Sequence, residues 1–319
     1  MNKGRQGPSL ENPMIDTPSR TVLRRALDGI SGILVTPFDT DDAVAPDSLK
    51  PVVDRAIDAG IPILVANGNT SEFYALSLDE AKQMVRAAAE HIAGRVPLLG
   101  GVGRSVHDAC ALAKASLAAG ASGVMVHQLP DPFAAPRGVV DYVRRIADAA
   151  DGLPVVLYLR NELIGLKAIT DLCAIESVVG VKWASPTPLL LGAAMRETAG
   201  RDLAWVGGLA EPWAPPFYAV GARGFTSGLI NVFPRHSMAI HAALGVADYP
   251  KAMRLIATMQ AFEDLRAQES NGANVSVVKA ALQIIGSPCG AVRPPSAWPL
   301  TPASMLQLRE LLDSGTLLR

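Results

Sequence analysis

The sequence has few cysteines, almost no net charge and no long apolar run, and each shortage excludes a class of protein. Its three cysteines, Cys110, Cys173 and Cys289, are scattered and form no CxxC pair, which argues against a disulfide framework or a structural zinc site. A net charge of −1 supplies no global field that would attract nucleic acid or an anionic membrane. No stretch approaches the ~18 consecutive apolar residues of a membrane helix. We therefore expect neither a nucleic-acid partner nor a membrane partner.

The N-terminal segment is polar and lacks the apolar core of a secretory signal. Together with the scattered cysteines, this favours a cytoplasmic protein in a reducing compartment. Hydrophobic residues make up 49% of the chain, enough for a substantial buried core. We predict that residues 1–28 form a loose polar arm that ends in a short helix near residues 22–27.

Short apolar runs recur along the chain, and each is followed by a segment with helical spacing of apolar residues. Most runs lack polar–apolar alternation, which is typical of parallel strands that are covered on both faces. Between the third and fourth runs, for example, Val106, Cys110, Ala113 and Leu117 lie on one helical stripe. The eight runs occupy residues 32–38, 61–68, 96–103, 122–128, 153–160, 178–185, 203–208 and 222–228.

Eight strand–helix units predict an α/β fold, a (β/α)8 TIM barrel, over residues 29–235. The alternative is a doubly wound open sheet, which usually carries a glycine-rich phosphate-binding turn. GGVGRS (100–105) follows a strand but lacks the GxGxxG spacing and a following acidic ribose ligand, so we interpret it as a tight turn. Residues 236–319 are predicted to form a C-terminal helical extension of two or three helices, interrupted by GSPCGAVRPP (286–295).

Polar residues at the ends of the apolar runs are the candidate site residues, because the active site of such a barrel lies at the C-terminal ends of its strands. Lys182 follows Val-Val-Gly-Val at the end of the sixth run. Burial lowers the pKa of an ammonium group, and a neutral amine can attack a ketone to form an imine. The alternative is a lysine paired with a carboxylate at the barrel rim.

Tyr158 ends the preceding run, and neighbouring strands lie ~4.8 Å apart, so its phenol and the amine of Lys182 can face one small ligand. A tyrosine in that position can donate a proton to a leaving hydroxyl or accept one from a substrate. An ordinary half-buried tyrosine is the alternative. Arg160 and Asn161 follow directly and are candidates for binding a distal carboxylate, with a surface ion pair as the alternative for the arginine.

The segment GNTSEF (68–73) forms a turn between strand and helix, and its amides and hydroxyls can bind a carboxylate. Asn69, Thr70 and Ser71 are its candidate binding residues, while helix capping is the simpler alternative. Ser227, at the end of the eighth run, is a further candidate for substrate binding. His127 with Glu72 would be a metal pair, but no second His or Asp stands at ligand spacing, so we expect no metal.

In order and spacing, GNTSEF, VVLY (155–158), GVKWAS (180–185), GFTSGLINVFP (224–234) and GAVRPP (290–295) resemble the dihydrodipicolinate synthase/N-acetylneuraminate lyase superfamily of Schiff-base barrels. The resemblance covers nearly the whole chain and implies that Lys182 forms the imine and Tyr158 is the catalytic tyrosine. The Phe after Glu72 and the Arg two residues after Tyr158 are similar to the 5-dehydro-4-deoxyglucarate dehydratase branch. The region after the fourth run, HQLPDPF, lacks the tyrosine pair of dihydrodipicolinate synthases, which argues against that synthesis.

The resemblance implies a lyase that dehydrates a 2-oxo-3-deoxy sugar acid through a covalent imine, with no cofactor or metal. An alternative is a pyruvate-dependent aldolase or a dihydrodipicolinate-type condensation at the same lysine. A second alternative is a non-catalytic barrel that binds a 2-oxo acid. The resemblance also implies a homo-oligomer, either a dimer or a tetramer built from dimers.

Overall fold

Eight parallel strands close into a barrel in sequence order, with β1 beside both β2 and β8. The structure is a computed structural model that describes residues 17–131, 133–295 and 297–317. The closed barrel confirms the (β/α)8 prediction and rules out the open sheet. The strands are β1 (Ile30–Ile33), β2 (Ile63–Ala66), β3 (Leu98–Val102), β4 (Gly123–His127), β5 (Val155–Leu159), β6 (Val178–Trp183), β7 (Ala204–Gly207) and β8 (Gly224–Ser227).

The first strand differs most from its predicted position, residues 32–38. It begins earlier, at Ile30, and ends at Ile33; the amide of Leu34 still donates to Val65 of β2, but from Val35 onward the chain bonds to other elements. The amide of Val35 donates to the Asn231 side chain rather than to a strand, and Pro37 has no amide hydrogen to offer a sheet. An apolar run marks the strand here but does not give its register.

Helices surround the barrel, and every strand is followed by one. Ser77 caps its helix with a reciprocal Ser–Glu capping box, in which Ser77 and Glu80 exchange hydrogen bonds. The helices are α1 (Thr17–Ala26), α2 (Lys50–Asp58), α3 (Leu78–Ile92), α4 (Val106–Ala118), α5 (Pro136–Ala149), α6 (Leu166–Cys173), α7 (Pro188–Glu197), α8 (Ala210–Ala219), α9 (Pro234–Gly245), α10 (Tyr249–Ala267), α11 (Asn274–Ile284) and α12 (Pro302–Asp313).

The helix α1 packs across the N-terminal end of the barrel. It starts at Thr17, earlier than the predicted helix near residues 22–27. Leu23 of this helix and Leu27, which directly follows it, are fully buried in the cluster that fills the barrel interior. This helix therefore closes the end of the barrel that lies opposite the C-terminal ends of the strands. The first 16 residues of the predicted polar arm lie outside the described residues.

The C-terminal extension consists of α10, α11 and α12, since α9 follows β8 as the eighth barrel helix. The boundary predicted at residues 235/236 thus falls in the first turn of α9. Helix α10 packs on α8 and α9, and Met259, Phe262 and Leu265 join the same apolar cluster as the outer faces of β1 and β2. The extension therefore shares a core with the barrel. Within the described residues, no helix is both long and apolar enough to cross a bilayer.

Candidate active site

An open cavity of about 740 Å³ lies at the C-terminal ends of the strands. One side is formed by strand ends and the loops that follow them, as the barrel architecture predicts. The other side is formed by α10 and the turn that leads into α11. Polar side chains around it include Asn69, Thr70, Tyr74, Tyr158, Arg160, Lys182, Thr226, Gln260, Glu263, Arg266 and Asn274.

Lys182 is buried in the wall of this cavity, with 4% of its surface exposed. Burial, assisted by the positive charge of Arg160, lowers the pKa of its amine from 10.5 to about 7. Among the described residues no carboxylate lies within ion-pair distance of the amine, so the rim ion pair considered as the alternative is not formed. A large fraction of the amine is neutral near pH 7, which is the reactive form for addition to a ketone.

A register shift in β6 turns Lys182 toward the cavity. Val155 pairs with Val178, but the next residue of β5, Val156, pairs with Gly180, so β6 contains one extra residue. Because side chains alternate along a strand, one extra residue exchanges the two faces beyond it. Val178 and Val181 consequently both belong to the apolar cluster between the strands and the surrounding helices. In a regular strand, residues three apart would point to opposite faces. Without the shift, the amine would point to the helical layer.

Tyr158 is the register partner of Lys182, and the amine lies 3.8 Å from the centre of its ring. The phenol is buried, which raises its pKa to about 12, so it is protonated at neutral pH. Its oxygen accepts a hydrogen bond of 2.9 Å from the side-chain amide of Asn69. The cavity thus presents a neutral amine and a phenol, a nucleophile and an acid, to the same volume.

His127 stands beside Tyr158 in β4, with the two ring centres 5.0 Å apart. Burial lowers the pKa of its imidazole to about 3, and Nε2 donates to the carbonyl oxygen of Asn67 at 2.9 Å. Glu72, which was considered with His127 as a metal pair and was not expected to bind a metal, pairs with Lys279 at 2.6 Å. In the described ranges no group of three or more His, Cys, Asp or Glu side chains could hold a metal ion.

The GNTSEF loop presents Thr70 to the cavity but turns Ser71 away from it. The Ser71 hydroxyl donates to the carbonyl of Leu34 and accepts from the amide of Gly68, so it holds the loop against β1. We therefore revise its expected role from substrate binding to loop support. Glu72 also supports the loop: its buried ion pair with Lys279 ties the loop to α11.

The other predicted binding residues fall into two groups. Arg160 lines the cavity, with its guanidinium 5.9 Å from the centre of the Tyr158 ring. Asn161 does not line it, because its side chain accepts from the amide of Leu163 in the following turn. Ser227 is buried behind the cavity wall, where its hydroxyl donates to Glu211. These two residues were predicted as substrate ligands, and their hydrogen bonds instead give them supporting roles.

The structure adds cavity residues that strand-end reasoning missed. Arg266 comes from α10, where it pairs with Glu263 and donates to Asn274 at 2.8 Å. Its Nη2 and the Thr70 hydroxyl both lie about 3 Å from where a Cβ on Gly228 would stand, so any side chain there would collide with them. No local signal marks Arg266, since its helix lies outside the barrel. Tyr74 directly follows GNTSEF and could have been found by extending that motif by one residue.

Comparisons with known proteins identify the family of this chain. The profile of the dihydrodipicolinate synthetase family matches residues 26–314. A protein of Streptomyces avermitilis named probable 5-dehydro-4-deoxyglucarate dehydratase 1 is 31% identical over 288 residues, which cover 88% of this chain and 91% of that one. The 5-dehydro-4-deoxyglucarate dehydratase of Pseudomonas putida is 28% identical, over 89% of this chain and 94% of its own.

Solved structures give the same result. The dihydrodipicolinate synthase of Bacillus clausii has a TM-score of 0.88 and 38% sequence identity, covering 92% of this chain and all of its own. A sialic acid aldolase of Ruminococcus gnavus, at 17% identity and a TM-score of 0.84, shares the fold. The family profile and the named relatives confirm the predicted superfamily and the predicted lyase activity. This chain belongs to the dihydrodipicolinate synthetase family.

Proposed function

We propose that the protein is a Schiff-base dehydratase that acts on a 2-oxo-3-deoxy sugar acid, as the related 5-dehydro-4-deoxyglucarate dehydratases do by name. The observation that carries the proposal is the buried amine of Lys182, which has no carboxylate partner in the described residues and lies over the ring of Tyr158. Such an amine is suited to form an imine with a ketone. The covalent imine would serve as the electron sink, so the proposed reaction needs no cofactor or metal.

The charges of the cavity fit an acid of this type. The name 5-dehydro-4-deoxyglucarate describes an acid with a carboxylate at each end, a ketone beside one of them, then a methylene group and two hydroxyls. With the ketone at Lys182, we place the adjacent carboxylate on the hydroxyl of Thr70 and the amides of its loop. Arg160, on the cavity wall beyond Tyr158, would hold the distal carboxylate.

Imine formation uses the amine and the phenol in turn. Neutral Lys182 adds to the ketone carbon and gives a carbinolamine. The phenol of Tyr158 then protonates the departing oxygen, water leaves, and a protonated imine and a phenolate remain. The positive imine nitrogen lies beside the phenolate, and this proximity stabilises both charges.

The same phenolate then removes water from the carbon chain. It takes a proton from the methylene carbon, which converts the imine to a neutral enamine and restores the phenol. The enamine expels the neighbouring hydroxyl as the phenol of Tyr158 protonates it, so that water and a conjugated protonated imine form. A water molecule adds to the imine carbon, its proton passes to the phenolate, and the dehydrated 2-oxo acid leaves Lys182 as the free amine.

Borohydride trapping tests the covalent step. The protein is incubated with pyruvate or a 2-oxo-3-deoxy sugar acid, reduced with borohydride and mapped by mass spectrometry. We expect one modified peptide, which contains Lys182, and no modification in Lys182→Met. Modification of a different residue, or none with any 2-oxo acid, would refute the assignment.

A condensation or aldol reaction at the same lysine is the second candidate, because the Bacillus clausii structure with 38% identity is named a dihydrodipicolinate synthase. Product analysis separates the two. A dehydrated acid with an intact carbon chain indicates the dehydratase, whereas pyruvate and an aldehyde indicate the aldolase. Formation of a larger product from pyruvate and an added aldehyde would indicate the condensation.

We also propose that the protein is a cytoplasmic homo-oligomer, a dimer or a tetramer. Large apolar side chains are exposed on the segments that follow β4, β5 and β6: Phe133 and Leu163 precede α5 and α6, and Leu189 lies in the first turn of α7, each more than 80% exposed. Three large apolar side chains exposed at the same end of the barrel support a surface that a partner covers. Light scattering should give a mass of two or four chains, and a monomer at micromolar concentration would refute the oligomer. Fractionation of the producing cells tests the location.

A further inference from the structure

The hydrogen bond between Asn69 and Tyr158 has a fixed direction. The side-chain nitrogen of Asn69 can only donate, so at 2.9 Å the phenol oxygen is the acceptor. The hydroxyl hydrogen of Tyr158 takes no part in that bond, and no other hydrogen-bond partner is found for it in the described parts of the chain. It is therefore available to a molecule in the cavity that both residues line.

Among the described residues, no side chain forms a hydrogen-bond relay that starts from the hydroxyl hydrogen of the phenol. A carbonyl oxygen accepts only, so His127 must carry its hydrogen on Nε2, where it bonds to Asn67. His127 is buried and neutral, and it contacts the ring of Tyr158, at 5.0 Å between ring centres, without a hydrogen bond to the hydroxyl. Arg160 lies over the same ring and carries only donors. No serine, threonine or tyrosine hydroxyl of the described residues is hydrogen-bonded to the phenol.

We propose that Asn69 is a positioning residue that keeps the hydroxyl hydrogen of Tyr158 directed at the bound substrate, so that this single phenol makes every proton transfer of the cycle. The inference rests on the proposed dehydration and specifies how its protons are handled. Each time the phenol gives up its proton, the amide of Asn69 donates to the resulting phenolate. Hydrogen bonds to a charged group are stronger than bonds to a neutral one, so Asn69 stabilises the phenolate more than the phenol.

Two substitutions test whether the hydrogen bond that Asn69 donates to Tyr158 matters, or only the size of its side chain. Asn69→Ala removes the donor, and Asn69→Asp replaces it with an acceptor of the same shape, which would draw the hydroxyl hydrogen away from the substrate. We expect kcat for the sugar acid to fall about 10- to 100-fold in Asn69→Ala and further in Asn69→Asp. KM should change less than about threefold in both, because Asn69 is assigned to the phenol and not to substrate binding.

The matched control is Asn161→Asp, which adds the same charge in a turn beside the barrel mouth and keeps the acceptor for the amide of Leu163. It should leave kcat within about twofold of the wild type.

A pH profile gives a readout that a purely structural role of Asn69 would not change. In Asn69→Asp the new carboxylate favours the charged form of Lys182, so the acid limb of kcat/KM should move up by about one pH unit. In Asn69→Ala that limb should stay in place.

Borohydride trapping with pyruvate distinguishes failure of this inference from failure of the proposed function. If the wild type is labelled at Lys182 but Asn69→Ala or Asn69→Asp keeps kcat within twofold of it, the positioning role is wrong while the dehydratase stands. If Asn69→Ala loses turnover and Lys182 also stays unlabelled after prolonged incubation with pyruvate, Asn69 supports the lysine rather than the phenol, which also overturns the inference. If the wild type is not labelled, the proposed function itself fails.

Discussion

Replacing Lys182 with methionine should abolish activity and, at the same time, stabilise the fold. The two side chains are unbranched and similar in length, so the change mainly removes a buried amine. In the folded protein the pKa of this amine falls from 10.5 to about 7. At about 1.36 kcal/mol per pKa unit, the charged amine opposes folding by on the order of 5 kcal/mol.

The interaction of the ammonium with the ring of Tyr158 works in the other direction. At 3.8 Å from the ring centre, a desolvated cation gains about 2 kcal/mol. The cost of burying the charged amine is larger than this gain. At pH 6 we therefore expect Lys182→Met to be more stable than the wild type by about 3 kcal/mol. This destabilisation is complete below the folded-state pKa and disappears as the pH rises toward the unfolded-state value. At pH 9.5 the expected difference is therefore about 1 kcal/mol.

Urea unfolding of both proteins at pH 6 and pH 9.5 measures the difference. Lys167→Met is the control, because the side chain of Lys167 is 86% exposed and its removal should change the free energy of unfolding by less than about 0.5 kcal/mol. A Lys182→Met protein that is less stable than the wild type at both pH values would refute the reasoning. A difference that widens with rising pH would refute it as well.

Three further outcomes are expected. The value of kcat/KM should rise with pH through about 7, as Lys182 becomes neutral, and a flat profile between pH 5.5 and 9 would contradict this. Tyr158→Phe should lower kcat by about 10²- to 10⁴-fold while borohydride still labels Lys182, and full turnover without the hydroxyl would exclude the phenol as the acid. Glu72→Gln should destabilise the fold by about 3–5 kcal/mol, because it leaves the ammonium of Lys279 buried without its carboxylate. Adding Lys279→Met to that variant should restore most of the loss in urea unfolding, and no recovery would show that the ion pair is not the cause.

The amino-acid sequence by itself determined the barrel and the two residues at its centre. Apolar runs without alternation indicate strands that are buried on both faces, and eight of them with intervening helices leave few other folds. Polar residues that end such runs stand at one end of the barrel, so Lys182 and Tyr158 could be placed near each other from the pattern alone. This local signal is strong because a strand buried on both faces is apolar along its length, so a polar residue marks the point where it ends.

Only the tertiary structure decided which side chains face the cavity. The extra residue in β6 turns Lys182 inward, and apolar periodicity does not show it because both faces of the strand are buried. Ser71 and Ser227 directly follow residues that line the cavity, yet hydrogen bonds to Leu34 and Glu211 hold their hydroxyls away from it. Arg266 reaches the site from a helix outside the barrel. Side-chain direction depends on neighbours that are remote in sequence, and a local pattern carries no information about them.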